Sequence, residues 1–323
     1  MQYFITIKKP LTLLVLSFFL LFNSFCVFAE KEQVSLARIN QNISVDGVLD
    51  EAHWKKATHV PLLVQDEPNE RGTPPVKTDA YMYEDGTNLY VGFIAYDPEP
   101  DQIRASLRDR DTLWQDDTAI LVIDTFNDER SGYEFFVNPL GAQGDLRMSD
   151  TDGWQSDPSW NAIWDSAGKI TDEGYVVEMR IPFKALRFPE DKKDLTWGFL
   201  LMRNYPRDVL YQISNMGFDR DVKCSLCQFD KLTGLSEIES SKNVQLTPTL
   251  TALRHDDKAQ LPGDWENGNI DTEAGLDLRW GITKDAVLNA TINPDFSQVE
   301  TDSLELDVNT TYSIYYAEKR PFF

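Results

Sequence analysis

The stretch LYVGFIAY at positions 89–96 crowds aromatic and β-branched residues together and stops at Asp97-Pro98, a turn signal. Working outward, Thr118–Asp124 (TAILVID) has the composition of a buried strand, and 133–137 (YEFFV) closes at Asn138-Pro139-Leu140-Gly141. The run 175–181 (YVVEMRI) alternates until Pro182, and 197–203 (WGFLLMR) is a further strand. Helical spacing is confined to one short helix over 49–56 and one turn over 183–186. Many short strands punctuated by Gly, Pro, Asn and Asp predict an all-β domain over 30–240, an antiparallel β-sandwich of jelly-roll-like form.

The texture changes near 236–243 to a polar linker, and 241–323 reads as a second region. In 244–252 the apolar residues Val244, Leu246, Leu250 and Ala252 alternate with Gln245, Thr247, Thr249 and Thr251. Leu276, Leu278 and Trp280 oppose Asp277 and Arg279; after a turn at Thr283-Lys284-Asp285, Leu288, Ala290 and Ile292 oppose Asn289, Thr291 and Asn293. Val308, Thr310, Tyr312, Ile314 and Tyr316 form a fourth such strand. Charged and amide residues on the polar face favour a transmembrane β-barrel over an ordinary half-solvated sheet. Four strands cannot close a barrel, which needs about eight. The region is therefore read as an incomplete β-barrel in a chain cut short, the alternatives being a tail that pairs with another chain or one that stays poorly ordered.

Lys8 and Lys9, the apolar stretch from Leu11 to Phe22 and the small residues before Ala29 form a signal peptide over 1–29, with Cys26 discarded in it. The chain is accordingly expected in the periplasm, in the outer membrane or on the cell surface of a Gram-negative bacterium. A net charge of −22 argues against nucleic acid and anionic membrane surfaces as partners. It serves solubility, and it also suits calcium, which takes carboxylate clusters. Asp109, Asp111, Asp116 and Asp117, and Asp145, Asp150, Asp152 and Asp157, are the candidate runs, with Asp109, Asp111, Asp145 and Asp150 foremost. Cys224 and Cys227 lack the histidine of a haem c site and the second pair of a zinc site, so a disulfide is expected.

No catalytic constellation stands out: there is no positioned Ser-His-Asp set and no Gly-rich phosphate loop, and abundant carboxylates are not by themselves a glycosidase pair. The tryptophans are more informative. Sugar rings present apolar C–H faces with hydroxyl edges, so a site for them joins a flat ring to amide, carboxylate and guanidinium groups. Trp54, Trp164 and Trp197 read as core. Trp114, Trp154 and Trp160 stand among turn residues dense in Asp, Asn, Gln and Arg, and with Asp116, Asp117 and Arg147 they are the candidate ligand-binding set.

VDGVLDEAHW (45–54) resembles the opening motif of family 9 carbohydrate-binding modules, and the segments at 89–100, 113–125, 133–145, 174–186 and 197–203 keep step with it. The tail 293–323 is similar to the start of an outer-membrane β-barrel domain of unassigned function that follows such modules in Gram-negative proteins. The resemblance implies a β-sandwich, binding of a polysaccharide or oligosaccharide between two tryptophans, calcium, and a link to carbohydrate catabolism or uptake. Trp114, in a W-x-D-D position, matches one wall; 215–229 holds no tryptophan for the second. Three other readings compete. One is a plug or docking domain for a barrel, and a second is a haem-binding relative using Met148 or Met202. The third is hydrolysis of O-glycosyl bonds contributed by associated domains.

Overall fold

The computed structural model describes residues 31–150, 153–158, 160–189, 193–238, 244–254, 256, 268–283 and 286–293. The expected signal peptide and the fourth alternating strand lie outside these residues. The chain divides into Met1–Glu32, of which 31–32 are described and carry no regular structure, and Gln33–Phe323. In chain order the strands are β1 (Gln33–Ser35), β2 (Ala37–Arg38), β3 (Thr58–Leu62), β4 (Val64–Glu67), β5 (Thr78–Glu84) and β6 (Asn88–Tyr96). Next come β7 (Thr118–Asp124), β8 (Ser131–Val137), β9 (Gln143–Ser149), β10 (Gln155–Asp157), β11 (Asp165–Thr171) and β12 (Gly174–Pro182). β13 (Asp194–Pro206), β14 (Leu210–Ser214), β15 (Asp230–Ser236), β16 (Val244–Arg254), β17 (Ile270–Thr283) and β18 (Ala286–Ile292) complete the set.

Among the described residues these strands form three sheets. The largest runs β1-β15-β13-β7-β8-β9-β10, with β14 and β4 continuing from β13; a second runs β11-β12-β6-β5-β2, with β3 also on β5; the third is β16-β17-β18. Nearly every pairing is antiparallel, as the short turns require. β1 on β15 and β2 on β5 are parallel, so the sandwich is mixed at its margins, a departure from the purely antiparallel expectation. Both parallel strands belong to the N-terminal segment, which reaches its partners from a distant part of the chain.

Hydrophobic burial explains why β7 reads as a continuous apolar run. Ala119, Leu121 and Ile123 face the second sheet, where they join Phe135, Phe199, Leu201, Val91, Phe93, Val177 and Met179 in the main core. Ile120 and Val122 face the opposite way and pack with Phe136, Leu146, Leu200 and Met202 under Leu113, Leu226 and Phe229, which come from the connecting segments. The large sheet is thus buried on both faces at its centre, and β7 there has no solvent side on which to place polar residues.

A third cluster of Ile43, Trp54, Tyr83 and Tyr90 covers the outer face of the second sheet. The expected helix over 49–56 is only the 3-10 turn Trp54–Lys56, because this segment lies across the sheet and inserts single apolar side chains into it. Gly92 permits that approach: a Cβ there would stand 2.6 Å from Leu49 Cδ2. Glu178 ties the segment down, accepting from the N–H of Asp46 (2.9 Å), the N–H of Gly47 (2.8 Å) and Trp54 Nε1 (3.2 Å). Burial raises its carboxyl above the ordinary range. Removing this acceptor strands three donors, so Glu178→Ala is expected to cost about 3 kcal/mol. In thermal denaturation followed by circular dichroism, the midpoint should fall by roughly 10 °C.

Candidate binding site

The loop between the 3-10 turn Pro100–Gln102 and β7 carries Trp114, and two buried aspartates set its shape. Asp116 accepts from Ser106 N–H (3.1 Å), Ser106 Oγ (3.3 Å) and Asn138 Nδ2 (2.9 Å). Asn138 in turn holds the Ser106 carbonyl at 2.7 Å and receives the N–H groups of Leu140 and Ala142. Asp117 accepts from Arg104 N–H and from Arg207 Nη1, both at 2.9 Å. Burial pushes the Asp117 carboxyl up, and the donors from Arg207 and Arg104 oppose the rise. The sequence reading placed both aspartates among ligand contacts. Their geometry makes them anchors of the loop that presents Trp114.

Trp114 itself is 63% exposed and rests on Phe136, ring centroids 5.4 Å apart. It walls a cleft of about 580 Å³ together with Arg104, Arg108, Gln115, Arg207 and Leu210. Arg207 is held by Asp117 and Asp97, and its guanidinium lies 3.9 Å from the centre of the Tyr205 ring. Behind it Arg203, fully buried, stands 3.7 Å from Asp97 and 3.8 Å from Asp117. The four charges form a buried foundation for the cleft. Sequence reading passed over Arg104, Arg108, Arg203 and Arg207. The one local signal was a lone arginine closing the apolar run 197–203, which has to meet a carboxylate somewhere.

The other candidates do not converge on Trp114. Trp154, 38% exposed, lies over the same face of the large sheet: its ring is 6.5 Å from Phe229 and its Nε1 donates to Ser156 Oγ at 3.2 Å. Trp160 is half-buried and packs on Tyr133 (4.7 Å) and Phe135 (5.8 Å), whose side chains point to the opposite face. Arg147 is exposed on β9 and is the register partner of Tyr133, so it belongs with Trp160.

Of the proposed metal ligands, Asp109 is exposed. Asp111 accepts from Asp145 N–H at 2.8 Å, and Asp145 is bound by Arg110 and by Ala162 N–H. Burial raises the Asp145 carboxyl to about 6. Asp150 receives the N–H groups of Ser225 and Leu226. Among the described residues no group of three or more His, Cys, Asp or Glu is placed to hold a metal ion. Cys224 and Cys227 are joined in a disulfide beside the 3-10 turn Leu226–Gln228. Met148 and Met202, the candidate haem ligands, are packed in the outer apolar cluster.

Two mixed-topology sheets enclosing a main core, with an exposed tryptophan at a cleft on a loop edge, define a β-sandwich with a candidate binding cleft. Residues 45–217 match the family described as carbohydrate family 9 binding domain-like, which spans more than half of the chain, and the chain belongs to that family. Residues 245–323 match a second family, a domain of unknown function designated DUF5916. No curated protein matches the sequence. The crystal structure of a candidate carbohydrate-binding protein from Bacteroides uniformis is similar, with 15% identity and a TM-score of 0.50 over 63% of this chain and 99% of that one. Two structures of a family 9 module from Caldicellulosiruptor kristjanssonii, with cellotriose and with glucose, align at 15% identity and a TM-score of 0.44. They cover 62% and 66% of this chain and 93% and 98% of their own. At 15% identity the likeness to the Bacteroides uniformis structure speaks to the fold alone.

One group on this face titrates in a useful range. Glu134 on β8 shares a row with Leu200, Val122 and Leu146, between Phe136 beneath Trp114 and the Gly132–Met148–Ser156 row beside Trp154. No donor meets it among the described residues, and burial alone raises its carboxyl to about 7. Between the ordinary carboxyl value and about 7 the folded chain keeps a proton that the unfolded chain has released. Its contribution to stability is therefore fully present below that window and is lost as pH rises through about 7. Glu134→Gln should raise the melting midpoint by several degrees at about pH 8 and hardly change it near pH 4.

Proposed function

We propose that the chain is an exported saccharide-binding protein that holds a sugar ring against Trp114. The observation that carries this reading is the indole of Trp114, open to solvent and backed by Phe136 at the wall of a cleft with guanidinium and amide donors. A flat ring beside fixed donors suits a pyranose, whose C–H face stacks while its edge hydrogen-bonds. Membership of a carbohydrate-binding family supports the same reading. Trp154 lies on the same sheet face and is the second ring available to a longer saccharide. Calcium receives no residue set in this proposal, because the carboxylates named for it are largely engaged by N–H donors.

The third sheet supports placement at the outer membrane. Cross-strand partners share a face: Val244, Trp280 and Leu288 stand in one row, and Thr247, Asp277 and Thr291 in a row of the opposite face. Leu246, Leu250, Leu276, Trp280, Leu288 and Ile292 are all exposed, a two-faced pattern that suits strands with one side toward lipid and the other toward a polar lumen.

Two measurements test the proposal on the full chain. Titration with an oligosaccharide panel should change tryptophan fluorescence. Trp114→Ala should weaken binding roughly tenfold while leaving the melting midpoint near its original value. Silence across the panel would falsify the saccharide reading. In cell fractionation the protein should stay with the outer membrane after alkaline washing; full recovery in the soluble periplasmic extract would reject the membrane placement.

A further inference from the structure

We infer that the saccharide taken by the Trp114 cleft is anionic, its carboxylate or sulfate group held by Arg104 and Arg108 while a ring lies on the indole. The inference rests on this cleft being the sugar site. Several donors at the cleft are left over once their partners within the chain are matched. Arg104 uses Nη2 on the Arg207 carbonyl at 3.1 Å, and its backbone N–H is fixed to Asp117. Its guanidinium makes no ion pair among the described residues. Arg108 donates from Nε to Ser106 Oγ at 2.6 Å and stands 3.5 Å from Asp116, so its two Nη groups remain unengaged there. Arg207 Nε is buried and has no partner.

The carboxylates at the cleft leave the Arg108 Nη groups and most of the Arg104 guanidinium uncommitted, since Asp116 meets Arg108 only at Nε. Asp116 is buried and saturated by Ser106 and Asn138, while Asp97 and Asp117 are committed to Arg207. Asp208 is exposed and lines the cleft, which leaves it available to a sugar hydroxyl. A neutral pyranose offers hydroxyls that both give and take hydrogen bonds, so a site for it balances donors with acceptors. Here the surplus is of donors, and of the fork-shaped kind that pairs with an oxyanion. The chain's overall charge of −22 opposes an anion, but at physiological salt that field fades within about 8 Å, so the nearest guanidiniums decide.

The test is a fluorescence titration of the full chain with tetragalacturonate, a sulfated tetrasaccharide and neutral cellotetraose and xylotetraose, each at low and high salt. Tetragalacturonate should bind at least about tenfold more tightly than the neutral sugars, and high salt should erase the difference. The paired change Arg104→Gln and Arg108→Gln should remove the preference while Trp114 stays quenchable by solute. Arg104→Lys, which keeps charge and loses the fork, should fall between. If the sulfated sugar alone binds, the anion is sulfate and the inference holds. Neutral sugars binding as tightly as charged ones, or Arg variants that keep the preference, overturn the anionic assignment and leave the sugar site intact. No response to any sugar overturns both.

Discussion

The centre of the large sheet has no face to spare for water. One side meets the second sheet, and the other is roofed by Leu113, Leu226 and Phe229 from the connecting segments. Loops that in another sandwich could move freely are here part of a second core. Trp114 follows Leu113 directly, so its exposed indole stands on a residue that is fully buried. Rigid presentation of an exposed ring reduces the entropy lost when a ligand settles on it.

Electrostatics completes what packing begins. Asp116 and Asp117 immediately precede β7 and turn inward, fastening the loop on one side to Ser106 and Asn138 and on the other to Arg104 and Arg207. Arg207 carries the load onward to Asp97 and Tyr205. Such a largely buried cluster is held by mutual compensation: each charge is tolerable because another lies within reach. The cleft forms between the loop that leads into β7 and the turn that joins β13 to β14, and its donors are those left over after the buried charges are matched.

The tryptophans show where sequence reading reached its limit. Trp54, Trp164 and Trp197 read as core and are buried. Trp114 read as a candidate for exposure and is exposed, because neighbouring acidic residues commit it to a loop. Trp160 sits in the same kind of surroundings yet packs on Tyr133 and Phe135. Its polar neighbours describe the chain beside it, while its ring answers to the sheet beneath. Likewise the aspartates of the W-x-D-D segment carried the mark of a site, and only their partners show that they hold the loop from below.

Local pattern was enough for the strands, the turns at Asp97-Pro98 and Asn138-Pro139, the alternation of the third sheet and the family resemblance. Each depends on residues a few positions apart, where backbone preference and side-chain period act directly. The two parallel margins, the second roof over the large sheet and the gathering of Arg104, Arg108 and Arg207 around one tryptophan depend on contacts between distant segments. Register and strand order set those contacts, and single-residue chemistry carries no record of which distant face a side chain will meet.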